Sequence, residues 1–232
     1  PFVKIIVLIA CAFPCVGLAG TWAKRPVIAP APAAPTGYIF AYGGFSSAPT
    51  VDGNEPVFPS NEIIDIEDGY IAGGGAGAYS RWLGGSRFEF EGLWAHNDIG
   101  QIRSDILDGR GFINFGFRGQ LTTRALMVNI LKEIPLHNGI VGYVGAGIGG
   151  AETHVNIAEP FEPQGFARGF SERDLALAYQ FIAGVDFPIT ESMALFLQYK
   201  ALGIGETEFE ALDFNIDSYF THNFILGARL SF

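Results

Sequence analysis

The chain has 232 residues, 49% of them apolar, 14% aromatic and only 16% charged, with 31 glycines and 21 phenylalanines. Its formal net charge is -10, and no basic or basic-aromatic stripe occurs, which excludes a nucleic-acid partner. Both cysteines, Cys11 and Cys15, lie near the start, so a disulfide framework or cysteine metal site in the body of the chain is excluded as well.

The first element in chain order is VKIIVLIACAFPCVGLAG. It holds one lysine, an apolar run broken by Pro14, and small residues at its end. A membrane-spanning helix needs roughly 20 apolar residues. This run is shorter and interrupted, and it reads as a secretory signal peptide over residues 1–19. Gly17-Leu18-Ala19 or Thr21-Trp22-Ala23 supplies a cleavage site. Leu8-Ile9-Ala10-Cys11 offers a competing lipoprotein-type reading, with lipidation at Cys11. Residues 20–36 are a proline-rich linker, since closely spaced prolines favour extended polyproline geometry over helix or sheet.

From Tyr38 onward the pattern has a period of two, the signature of strands with one apolar face. It is clearest at the end, where Phe220, His222, Phe224, Leu226, Ala228, Leu230 and Phe232 oppose a polar or small row. Residues 174–187 repeat it, and Phe88 and Phe90 oppose Arg87, Glu89 and Glu91. Eight strands are predicted, near 38–46, 69–80, 86–96, 119–133, 140–150, 174–188, 192–204 and 217–232. The connections alternate between short turns and long loops, with the long ones at 47–68, 97–118, 151–173 and 205–216. Strict alternation puts all turns at one end and all loops at the other, the asymmetry of an up-and-down transmembrane barrel.

Alternation alone does not say which face points inward, because a soluble barrel alternates with its apolar row inside. Strand length, the leader and the recurring aromatics favour an apolar face turned to lipid. Tyr38, Tyr42, Tyr79, Trp82, Trp94, Phe187, Tyr199, Phe220 and Phe232 are expected to form interfacial girdles. The polar row carries Arg87, Glu89, Glu91, Lys200 and Arg229. A midplane Arg or Lys on the lipid face costs about 2–4 kcal/mol, so these residues are expected to pair inside the lumen. The expected fold is all-β, an eight-stranded antiparallel transmembrane β-barrel over residues 37–232, behind a periplasmic linker.

In pattern and size the chain resembles the outer-membrane β-barrels of the OmpA transmembrane-domain and opacity-protein type. ALMVNIL and GYVGAGIGG resemble the fourth and fifth strands of that family. The end of the chain resembles the C-terminal signal read by the barrel-assembly machinery: Gly227, Leu230 and Phe232 match it, and Ile225 departs from it. The resemblance implies the outer membrane of a Gram-negative bacterium, lipid and lipopolysaccharide as surroundings, and a surface or host partner at the loops.

The lumen of an eight-stranded barrel is filled by side chains, so a wide pore is not expected. The interior charges read as a paired network, or alternatively as a gated ion path. The loops 47–68 and 205–217 carry eleven carboxylates and no basic residue. Because the first and last strands pair in a closed barrel, Asp52, Glu55, Asp65, Glu206 and Glu208 are candidate ligands for calcium, which favours several oxygens from flexible loops. No other cofactor is expected. Catalysis needs a nucleophile, a base and an orienting group within reach. His96, His137, His154 and His222 show no such spacing, His222 and Ser218 lack the His-x-Ser arrangement, and no phosphate loop or zinc motif occurs. The expected role is a non-enzymatic surface, structural or adhesion protein; the alternatives are a narrow channel and a lipid-modifying enzyme.

Overall fold

A computed structural model of the chain describes residues 36–48, 51–54, 61–80, 84–105, 112–115, 119–157, 170–209, 214–216 and 218–232. The signal expectation and all of the linker expectation but Thr36 lie outside these residues. In chain order the strands are β1 (Gly37–Ser47), β2 (Val51–Asn54), β3 (Asn61–Ser80), β4 (Ser86–Asp105), β5 (Phe112–Phe115) and β6 (Gly119–Pro135). They continue with β7 (Val141–Ile157), β8 (Phe170–Pro188), β9 (Met193–Ile204), β10 (Thr207–Phe209), β11 (Phe214–Ile216) and β12 (Tyr219–Ser231).

Eight of them form the wall, in the circular order β1, β3, β4, β6, β7, β8, β9, β12, with every neighbouring pair antiparallel. The pairing of β12 with β1, from Tyr38 opposite Ser231 to Ser47 opposite His222, closes the ring. Closure gives each wall strand a partner on both sides within the ring, whereas residues 170–176 of β8, beyond the ladder with β9, pair among the described residues with β7 alone. The turns at one end are tight. Gly84 and Gly85 have φ of 51° and 79°, and Asn138 and Gly139 have 58° and 77°. These left-handed positions favour glycine and asparagine.

Alternation orients the wall. On β6, Leu121, Thr123, Ala125, Met127, Asn129 and Leu131 point inward, whereas Leu126, Val128 and Ile130 are exposed outside. Arg124 and Lys132 bracket those three on the outer face. Their separation is eight residues, about 27 Å along a strand and about 20 Å after tilt, close to the height of an outer-membrane barrel's apolar band. Phe90, Leu177, Phe181, Leu197, Phe224 and Leu226 continue this exposed band around the wall. In water so large an apolar surface would drive association; against lipid it needs no partner.

Three findings revise the sequence reading. Several strands are longer than expected: β3 and β4 each run 20 residues, against about 9–11 needed to cross a bilayer. Parts of the predicted long loops are therefore strand, and β2, β10 and β11 lie within two of them. A register irregularity between Asp65 and Gly69 marks where the β3–β4 ribbon passes from Tyr70 and Trp94 toward the loop end. Second, Tyr38 and Tyr42 are not girdle residues. Both rings are buried in the lumen, and glycines on β3 make the room: a Cβ at Gly77 would lie 2.2 Å from the Tyr38 ring, and one at Gly73 2.5 Å from the Tyr42 hydroxyl. Third, the inward row is not polar throughout. Ile71, Leu93, Ala125, Met127, Val155, Leu202, Ile204 and Ile225 form an apolar core inside the loop-side half.

Candidate functional site

The lumen holds two layers of charge. The layer nearer the turns is built on Arg87 of β4, whose alternation with Phe88 and Phe90 forces it inward with Glu89 and Glu91. Arg87 Nη1 donates to Glu133 of β6 and Asp186 of β8, each at 2.9 Å, and its Nε lies 3.4 Å from Glu89 Oε1. Arg229 of β12 reaches the same Asp186 oxygen at 2.8 Å. The Tyr38 hydroxyl donates to Glu89 at 2.7 Å. The Arg87 guanidinium also stacks over the Tyr143 ring, 4.3 Å from its centre.

The second layer is centred on Glu91. Lys200 of β9 and the Tyr42 hydroxyl both donate to Glu91 Oε1. Its other oxygen accepts from Asn129 Nδ2 and Gln180 Nε2, each at 2.8 Å. Lys200 also donates to the Tyr42 oxygen at 3.1 Å, and Gln180 to Asn129 Oδ1 at 2.6 Å. Lys200 and Glu91 are buried completely or nearly so. Burying a charge is tolerated where it is paired and hydrogen-bonded; the charges in both layers are paired, although Arg87 Nε, Arg229 Nε and Asp186 Oδ1 have no hydrogen-bond partner. Toward the loops the apolar core takes over.

The structure therefore brings Arg87, Glu89, Glu91, Lys200 and Arg229 into the lumen and joins them in two clusters. Sequence reasoning missed Glu133, Asp186, Asn129, Gln180, Tyr38, Tyr42 and Tyr143. Asp186 and Gln180 were accessible, since they share the polar row of residues 174–187. Tyr38 and Tyr42 were not, because β1 carries aromatics on its inward face and Ile39 and Phe45 on its outward one.

Of the candidate calcium ligands, Glu206 is exposed at the end of β9. Glu55 and the side chains of Asp52, Asp65 and Glu208 lie outside the described residues. The backbone of β2 pairs with that of β11, with Asn54 opposite Asn215 and Gly53 opposite Ile216, so the two acid-rich segments share one ladder. Among the described residues no group of three or more metal-capable side chains comes together.

At the end of the chain, Leu230 and Phe232 are exposed on the outer face. Gly227 points inward under the Phe196 ring, where a Cβ would lie 2.2 Å from that ring; packing alone demands glycine there. His222 lies on the outer wall, hydrogen-bonded to the Tyr199 hydroxyl at 2.7 Å. His154 Nε2 lies 2.8 Å from Ser171 Oγ on the outer wall near the loops, a pairing across β7 and β8 that the sequence did not suggest.

No protein-family model and no curated protein matches the sequence. Solved structures do match. Neisserial surface protein A (NspA) superimposes with a TM-score of 0.51 at 11% identity, covering 84% of this chain and 97% of that one. The outer membrane protein OprG from Pseudomonas aeruginosa gives 0.52 at 13% identity, with the same coverages of 84% and 97%. The outer membrane protease OmpT from Escherichia coli gives 0.48 at 9% identity, covering 85% and 97%. At these identities the likeness is one of fold. The chain shares with NspA and OprG the fold of a closed eight-stranded antiparallel β-barrel.

Proposed function

We propose that this protein is an integral outer-membrane protein of a Gram-negative bacterium, non-enzymatic, with the barrel as scaffold and recognition of a surface or host partner at the loops. One observation carries this reading: the lumen holds two layers of paired charge, with an apolar core on their loop side. A barrel filled in this way neither conducts freely nor houses a substrate, which leaves the loop end to meet partners. Planar-bilayer recording tests it. Closed behaviour is expected, with rare, small openings at most. Steady conductance that changes on Lys200→Met would replace the reading with the narrow channel.

The acid-rich segments joined through β2 and β11 fit a clasp bridged by a divalent cation. Calcium should protect residues 47–68 and 205–217 from protease. Equal cleavage in calcium and in chelator removes the clasp.

A second reading, a lipid-modifying enzyme, draws on the His154–Ser171 pair. The pair offers a base and a nucleophile; acyl transfer also needs an oriented base and an oxyanion site. Mass analysis of lipid A from cells with and without the protein tests it. Loss of an acyl chain that Ser171→Ala restores would establish the enzyme, and an unchanged profile removes it.

A further inference from the structure

The outer wall of β4, β6, β7 and β8 differs from the rest of the barrel. Backbone register sets its outward residues in rows. Gly92, Leu126, Gly150 and Leu177 form one row; Trp94, Arg124, Glu152 and Leu175 the next; His96, Thr122, His154 and Arg173 the one above. Between the first two rows lies an open groove. Gly92 and Gly150 lie along its floor, Leu126 and Leu175 stand exposed beside them, and Trp94 and Arg124 lie at its upper rim.

Its glycines are unlike those of the lumen. At Gly73, Gly77, Gly147 and Gly184 a Cβ would fall within 2.5 Å of an inward side chain, so packing explains them. At Gly150 a Cβ would meet nothing within 4 Å, and at Gly92 only Leu126, at an ordinary 3.6 Å. No contact inside the barrel demands glycine at either place. Their effect is to leave a hollow in a surface that faces acyl chains.

The rim carries two exposed arginines in a chain of net charge -10. Arg124 is 60% exposed, and Arg173 is exposed one row higher on β8 beside His154. Two carboxylates accompany them: Glu152, itself partly exposed, lies 3.4 Å from Arg124, and the exposed Asp98 lies 3.7 Å from His96. Tyr70, Trp94 and His96 flank the rim with ring centres 5.1 Å and 6.1 Å apart along the series, as an interfacial belt would. Charge at headgroup height and a hollow directly beneath it match one class of ligand.

We propose that this face is a binding site for a phosphorylated lipid of the outer leaflet, with an acyl chain lying along Gly92 and Gly150 and a phosphate held by Arg124 and Arg173. The site rests on the membrane-barrel reading above. Arg124 exchanges its Glu152 contact for phosphate, since guanidinium pairs with phosphate through two parallel hydrogen bonds.

The test uses the full chain folded in detergent micelles and titrated with bisphosphorylated lipid A, or with phosphatidylcholine, under native mass spectrometry. Lipid A should be retained at least tenfold more tightly than phosphatidylcholine, and millimolar inorganic phosphate should not displace it. R124Q/R173Q should lose at least fivefold of that retention. G150L, which fills the groove and leaves the charges, should lose a similar factor. A201L, on the outer face of β9, should match the parent protein. Heat-modifiable gel migration, run on every variant, separates failure of the barrel from failure of the site. Unchanged retention in R124Q/R173Q and G150L, equal retention of the two lipids, or displacement by free phosphate would overturn the proposal.

Discussion

Lys200 and Glu91 meet across the lumen from β9 and β4, strands that are not neighbours in the wall. The pair therefore ties opposite sides of the barrel, which no ladder hydrogen bond does. Removing one member of a buried ion pair leaves an uncompensated charge and typically costs 3–5 kcal/mol. Lys200→Met should lower stability by about that much in urea unfolding from phosphatidylcholine vesicles. The double variant E91Q/K200M should recover part of the loss, because no charge is then stranded. Equal destabilisation by the single and double variants would show that the pair does not couple the walls.

The orientation of the wall makes a separate prediction. Phe224 and Leu226 are exposed on the outer face of β12, while Asn223 and Arg229 are buried within. With Cys11 and Cys15 replaced by serine, spin labels at 224 and 226 should report lipid contact. Labels at 223 and 229 should be shielded from lipid. Water contact at 224 and 226 with lipid contact at 223 and 229 would invert the barrel and remove the membrane reading.

How far the sequence foretold this architecture depends on the strand. In β12 and β8 one row is almost purely apolar and the other polar or small, so period two alone orients them. In β1, GYIFAYGGF places Tyr38, Phe40 and Tyr42 on one face and Ile39 and Phe45 on the other. Hydrophobicity cannot rank those faces, and only the glycines of β3 opposite Tyr38 and Tyr42 settle which rings go inside. The apolar core near the loops was hidden for a related reason. Leu121, Ala125 and Met127 look like lipid-facing residues because Arg124 lies on the opposite row, yet the structure puts Arg124 and Leu126 outside. Membrane thickness also sets no limit on ladder length, so the extensions of β3 and β4 left no mark in the apolar pattern.

The fit between glycine and tyrosine is itself testable. A Cβ at Gly77 would sit 2.2 Å from the Tyr38 ring, which is pinned by its hydrogen bond to Glu89 and lies beside Arg87 and Arg229. Overpacking of this kind costs about 1–3 kcal/mol. Gly43 faces outward, and a Cβ there meets only a backbone oxygen at 3.9 Å. Gly77→Ala should therefore destabilise the barrel by about 1–3 kcal/mol, whereas Gly43→Ala should be neutral or stabilise by up to about 1 kcal/mol through the unfolded chain. Similar losses in urea unfolding for both variants would mean that strand propensity, and not the Tyr38 ring, explains the glycine.

Phe232 sits at the seam where the barrel closes. Its amide donates to the Gly37 oxygen at 2.9 Å, and its own carbonyl accepts from Thr36 and Gly37 at 3.0 and 3.2 Å. All of these bonds are made by backbone. The ring is 70% exposed on the outer face and buries little within the protein. Stability and recognition should therefore separate at this residue. Phe232→Ser should leave unaided refolding into lipid vesicles, followed by heat-modifiable migration, within about twofold of the parent. It should slow insertion by the purified barrel-assembly machinery by tenfold or more. Gly227→Ala makes the contrast, since its Cβ collides with Phe196 inside and should impair both reactions. Equal slowing of aided and unaided folding by Phe232→Ser would make the ring a structural wedge at the seam and deny it a role as an assembly signal.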